Sequence, residues 1–210
     1  MPQHPDIMTE HLDILKEIGS ICTGSATTAL SQILFKKIDL EMPRIDIVSL
    51  ENLPKYIGNP KQPVVGIQMK ILGTINGNAL IIFTKKNATT LIELLVGRSP
   101  NIKNNFTEIG ISALKELGNI ILSSYLSTLG TMIKKSVYPF VPAYADGTMD
   151  AVLKLTFGEL TLNEPINIFL IETIFSEAIN KINGSFFIAF DTASISLILE
   201  SVTDKKISRL

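Results

Sequence analysis

Two sets of residues carry side chains whose types and spacing could cooperate in chemistry. Ser112, Glu116 and Asn119 fall at i, i+4 and i+7, which places all three on one face of an α-helix. Asp13, Glu17 and Ser20 repeat that spacing 99 residues earlier. A carboxylate is an anionic acceptor, whereas a carboxamide carries a donor NH2 and an acceptor oxygen on one rigid group. The Glu116 and Asn119 pair can therefore meet a cation and hold a water molecule. Ser20 offers only a shorter hydroxyl at the equivalent place. A proline follows each set at the same distance: Pro142 is 23 residues beyond Asn119, and Pro43 is 23 beyond Ser20. One Glu-x-x-Asn on a helix is ordinarily a solvated face. Two sets in register, each with its proline, call for a functional reading.

Other chemistries find less support. No Gly-rich phosphate loop, Ser-His-Asp set or glycosidase-type carboxylate pair stands out. His4 and His11 are isolated near the N-terminus, and the single cysteine, Cys22, has no Cys or His at ligand spacing, so no metal site is expected. With 19 basic and 20 acidic residues spread along the chain, no basic stripe is available for a phosphodiester backbone. The mean hydropathy of +0.32 directs attention to the uncharged run from Leu117 to Ile133. That run contains two glycines, an asparagine and several hydroxyl residues, and it is shorter than the ~20 apolar residues of a membrane span. A buried helix is expected there, no membrane insertion, and, without a secretory leader pattern, a cytoplasmic protein.

The elements that must position these residues come in two copies. Leu12–Gly19 realigns on Ile111–Gly118 with the core Leu-Lys-Glu-apolar-Gly retained, and Ile75-Asn76-Gly77 realigns on Ile182-Asn183-Gly184 at an offset of 107. The second copy has thus gained eight residues, which the reading assigns to a helix carrying Met149, Val152, Leu153, Thr156 and Phe157 at i, i+3, i+4, i+7 and i+8. Hydrophobic periods predict a long helix over Thr9–Phe35 with Thr9 as N-cap, a strand over Arg44–Leu50, and a short helical or turn segment over Glu51–Ile57. Strands Val64–Leu72 and Asn78–Thr84 follow, joined by an Asn76-Gly77 turn, and then a helix over Thr89–Val96. The second copy is expected to repeat this with a helix over Thr107–Lys134, strands over Phe140–Ala145, Ile166–Ile174 and Ser185–Asp191, and a helix over Ala193–Val202. The fold class is α/β (α+β): one domain over 1–210 made of two repeats, 9–97 and 107–203, with antiparallel strands covered by helices about a pseudo-two-fold axis.

The pattern Asp/Ser, three residues, Glu, two residues, Asn, twenty-two residues, Pro resembles the signature of the CheC, CheX and FliY phosphatases of chemotaxis. The Lys-Glu-apolar-Gly-Asn context is similar too, and the resemblance spans both repeats. Two placements of the motif and the chain length fit the CheC type better than CheX, which has one motif, or FliY, which carries a further motor-binding domain. The resemblance implies hydrolysis of the aspartyl phosphate on CheY: Asn119 holds the attacking water, and Glu116 pairs with a regulator lysine. Ser112 and Asp13 lie on the same stripes as supporting residues, while Pro142 and Pro43 shape the chain. It also implies that this chain binds no cofactor, that Mg2+ resides on the regulator, and that the receptor deamidase CheD is a partner. Asp146 and Asp150, at the start of the inserted helix, are the docking candidates for CheD. Ser20 departs from the family, so the first site is expected to dock a regulator and hydrolyse poorly. The alternative is a module that binds phosphorylated CheY and CheD with little or no catalysis.

Overall fold

The computed structural model describes residues 9–37, 39–40, 44–49, 52–53, 58–97, 101–102, 105–158, 167–177 and 182–207. The first copy runs α1 (Thr9–Leu34), β1 (Asp39–Leu40), β2 (Arg44–Ser49), β3 (Pro63–Gly73), β4 (Gly77–Thr84) and α2 (Lys85–Val96). A small hairpin, β5 (Asn101–Ile102) with β6 (Asn105–Phe106), leads into the second copy. There follow α3 (Glu108–Ile133), β7 (Val137–Pro139), β8 (Ala143–Thr148), α4 (Met149–Phe157), β9 (Asn167–Glu177), β10 (Ile182–Phe190) and α5 (Thr192–Ile207).

All the longer strands belong to one antiparallel sheet, and the two copies exchange strands within it. β2 pairs with β9 of the other copy, β8 pairs with β3, and β4 pairs with β10 at the centre. The registers make the symmetry explicit. Leu80 lies opposite Phe187, and these are 107 residues apart, the offset that aligns the two Ile-Asn-Gly segments. The pseudo-two-fold therefore passes between Leu80 and Phe187. Likewise the Ala143 and Gln68 pair across the copies corresponds to the Arg44 and Glu172 pair, also across the copies. Neither copy can complete its share of the sheet alone.

Each face of the sheet is covered. On one side α1 and α3 pack together over β3, β4 and β10, with α2 and α5 completing a core that contains Leu15, Ile18, Leu30, Ile67, Ile81, Leu117, Leu122, Tyr125 and Ile188. On the other side α4 and Leu53 bury Val64, Leu80, Ile82, Phe187 and Ala189. All five apolar-face residues read from the α4 period are buried. The run from Leu117 to Ile133 is a core helix, and among the described residues no helix is long and apolar enough to cross a membrane.

The differences from the sequence reading have local causes. The Asn76-Gly77 pair is not the turn: Thr74 to Asn76 connect the strands and Gly77 lies within β4. A Cβ at Gly77 would stand 2.2 Å from the Ala189 carbonyl oxygen, so this glycine serves the close approach of β4 to β10. Of the strand expected over Phe140–Ala145 only Ala143–Ala145 are strand, at the start of β8, which runs on to Thr148; residues 140–142 form the break after β7, where Pro142 has no N–H to give a ladder. Of the eight additional residues, five lie between β8 and β9 and three lengthen the β9 to β10 connection, as the register pairs Ile71↔Gly77 and Phe175↔Gly184 require. The α4 segment thus holds five, not eight. Among the described residues α1 is helical from Thr9 onward. Helix α2 begins earlier than expected, at Lys85, with the Thr84 hydroxyl capping Asn87 N–H. Of the segment Glu51–Ile57, only 52–53 are among the described residues.

Candidate functional site

Helices α1 and α3 are each 26 residues long and begin 99 residues apart, so the polar stripes occupy equivalent places on two symmetry-related helices. The Thr107 side chain caps α3 by accepting the Gly110 N–H. Beyond that turn, Leu114, Leu117, Gly118, Ile121 and Leu122 face the sheet. The opposite face presents Ser112 and Glu116, both exposed, and Asn119, half-buried. On α1 Asp13 and Glu17 are exposed and Ser20 is half-buried. The structure thus places each predicted trio on one helix face, with its third member the least exposed of the three.

Gly118, between the two key residues, sets the height of the site. A Cβ there would stand 2.7 Å from Ile67 Cγ2, and Ile67 is fully buried in β3. The helix therefore rests directly on the strand. Gly118→Val is expected to lift α3, to cost about 1–3 kcal/mol as overpacking, and to reduce activity because Glu116 and Asn119 flank it. Urea unfolding and an activity assay on the same preparation check both effects.

Among the described residues, the side chains of Glu116, Asn119, Glu17 and Ser20 make no hydrogen bond or ion pair within the chain. The half-buried Asn119 carboxamide is thus held by no neighbour among the described residues. Asp13 is already engaged by Lys16 at 3.7 Å, an exposed i,i+3 pair of small energetic weight. Pro142 is half-buried and immediately precedes β8, where its fixed φ sets the strand entry. Pro43 lies outside the described residues.

The two carboxylates considered for a second partner have partners already. Lys85 Nζ meets Asp146 at 3.1 Å, and the Tyr144 hydroxyl donates to the same carboxylate. Lys154 pairs with Asp150 at 2.8 Å, and Asp150 lies in the first turn of α4, where a negative charge favours the helix N-terminus. The surface beside them is apolar: Phe140, Val141 and Leu155 are exposed around an open cavity of about 350 Å³.

In the core that α1 and α3 cover, Cys22 is fully buried and burial pushes its thiol up to about 12. Tyr125, on α3, is also fully buried, packs edge-on to Phe186 with ring centroids 5.4 Å apart, and has a hydroxyl without a hydrogen-bond partner among the described residues. Sequence reasoning named Cys22, only to set it aside as a metal ligand, and did not single out Tyr125. Burial raises the Cys22 pKa, so the fold favours the neutral thiol and binds more protons than the unfolded chain between pH 9 and 12. Stability is therefore expected to fall as pH rises through that window, with a smaller fall in Cys22→Ala. A pH series of urea midpoints tests this. At neutral pH Cys22 should resist thiol reagents until the protein unfolds.

Among the described residues no group of three His, Cys, Asp or Glu side chains could hold a metal ion. His4 lies outside them.

Comparison with known proteins decides the family. The model of the CheC-like family matches residues 10–46 and 109–144, the two long helices with the strand that follows each. The CheY-P phosphatase CheC of Bacillus subtilis (strain 168) is 33% identical over 157 residues, 74% of this chain and 75% of the relative. The chain belongs to the CheC-like family. Among solved structures, this CheC-like chain is similar to Thermotoga maritima FliY, with a TM-score of 0.74, 20% identity, and coverage of 96% of this chain and 100% of that one. It is also similar to a CheX–CheY–BeF3–Mg2+ complex from Borrelia burgdorferi, with a TM-score of 0.55, 17% identity, and coverage of 81% and 95%. Both likenesses are of fold.

Proposed function

We propose that this chain is a CheY-P phosphatase, hydrolysing the aspartyl phosphate of a CheY-type response regulator at Glu116 and Asn119. The observation that carries the reading is the unpartnered Glu116 and Asn119 pair on the outer face of α3, in a chain 33% identical to a CheY-P phosphatase. An acyl phosphate has a good leaving group and a loose transition state, so the scarce ingredient is a water held in line with phosphorus. The Asn119 carboxamide holds that water with one atom, and its other atom is fixed by the docked regulator. Glu116, one turn earlier, pairs with a regulator cation and fixes docking geometry through a charge-assisted bond. Mg2+ belongs to the regulator, as part of the substrate, and this chain contributes no cofactor.

In this reading the repeats over 9–97 and 107–203 act as one cytoplasmic domain. The Asp13, Glu17 and Ser20 set docks a regulator and hydrolyses it poorly, since a serine hydroxyl reaches less far and lacks a second polar atom. A CheD-type deamidase docks at α4. The lysine partners of Asp146 and Asp150 turn that proposal toward the apolar surface at Leu155, and CheD binding that survives charge reversal at Asp150 would support the shift.

A second reading, favoured by Ser20, is a module that binds phosphorylated CheY without hydrolysing it. The discriminating experiment follows phosphate on a charged regulator with this chain at a small fraction of the regulator's concentration. A phosphatase accelerates loss of the whole pool. A sequestering module leaves the rate unchanged or slows it.

A further inference from the structure

Among the described residues of the two long helices, Ile109 is the most exposed large apolar side chain, at 66%. It stands in the first turn of α3, seven residues before Glu116 and ten before Asn119. At 100° per residue it shares their face, about 10 and 15 Å along the helix axis from them. Its neighbour Gly110 packs on Ile92 of α2, which turns Ile109 itself outward. A second apolar residue, the half-buried Ile120, follows Glu116 by one turn. The second site is therefore flanked by isoleucine on both sides.

The first copy differs at one of these places. Ile21, 45% exposed, stands where Ile120 does, but Glu10 occupies the position of Ile109. A carboxylate suits a helix N-terminus electrostatically, and an exposed isoleucine there gains nothing from the helix. Isolated exposed apolar residues are common. Ile109 is distinguished by its alignment with the Glu116 and Asn119 pair, within the ~800 Å² footprint that one partner of a standard protein interface covers.

We infer that Ile109 is a docking contact for the phosphorylated regulator, a positioning residue that seats an apolar patch beside the acyl-phosphate pocket and favours the second site over the first. The inference rests on the phosphatase reading. The test uses the full chain with Ile109→Glu, which installs the residue type of the first copy, and Ile109→Leu, which retains the apolar contact. Affinity for a beryllofluoride-activated regulator is measured by calorimetry, and hydrolysis of the phosphorylated regulator under steady state. Loss of one buried isoleucine predicts that Ile109→Glu raises Kd and KM about tenfold and leaves kcat within about twofold and Tm unchanged. Ile109→Leu should behave as wild type. An active wild type with Ile109→Glu unchanged in Kd and KM, or altered only in kcat, overturns the inference alone. A wild type that neither binds nor hydrolyses the regulator overturns the phosphatase reading and this inference with it.

Discussion

Asn119→Ala is expected to slow phosphate loss from the charged regulator by roughly a hundredfold relative to wild type, the scale of effect that follows when a positioning group is removed from an aligned reaction. Glu116→Ala should act differently. It removes a contact to the regulator and so raises KM more than it lowers kcat. The first set answers the specificity of both claims. Glu17→Ala and Ser20→Ala are expected to change the rate by less than about twofold, because a hydroxyl cannot hold and orient water as a carboxamide does. The converse substitution is more demanding: Ser20→Asn in the Asn119→Ala background should restore measurable turnover. Steady-state phosphate release from one regulator preparation compares all five variants with wild type. Retention of most activity by Asn119→Ala would place the chemistry elsewhere.

The second large effect concerns the fold. Phe187→Ala is expected to lower the unfolding free energy by about 3–5 kcal/mol, the usual cost of emptying a fully buried phenylalanine site. Phe187 is fully buried and lies opposite Leu80 on the pseudo-two-fold. A void there loosens both copies together. Because β2 and β9, and β8 and β3, pair between copies, urea unfolding of the wild type should be one transition with coincident probes, shifted but still single in Phe187→Ala. Two separated transitions would mean that the copies fold independently despite their shared sheet.

Much of this architecture was legible in the chain. The long helices, the α4 apolar face and the order of strands follow from periods of 3.6 and 2, since each element buries one face. The two trios were legible because their spacing recurs at an offset of 99. The strand exchange was not, because alternation fixes which face a strand buries but not which copy supplies its neighbour. Gly77 shows the same limit: an Asn-Gly pair reads as a turn, and only the approach of Ala189 shows why glycine is required. At the site, the spacing put Glu116 and Asn119 on one face, but the outward direction of that face depended on Gly118 meeting Ile67. The role given to Asp146 and Asp150 weakened for a related reason. Lys85 and Lys154 reach them in space, and the 60 residues between Lys85 and Asp146 hide that contact from any local reading.

Phosphate release from a Mg2+-loaded, phosphorylated CheY-type regulator, compared between wild type, Glu116→Ala plus Asn119→Ala, and Glu17→Ala plus Ser20→Ala, decides whether α3 carries the chemistry. Wild type should accelerate release, the α1 double variant should keep most of that acceleration, and the α3 double variant should fall to the regulator's own rate. Acceleration that survives in the α3 variant, or vanishes only in the α1 variant, would contradict that assignment.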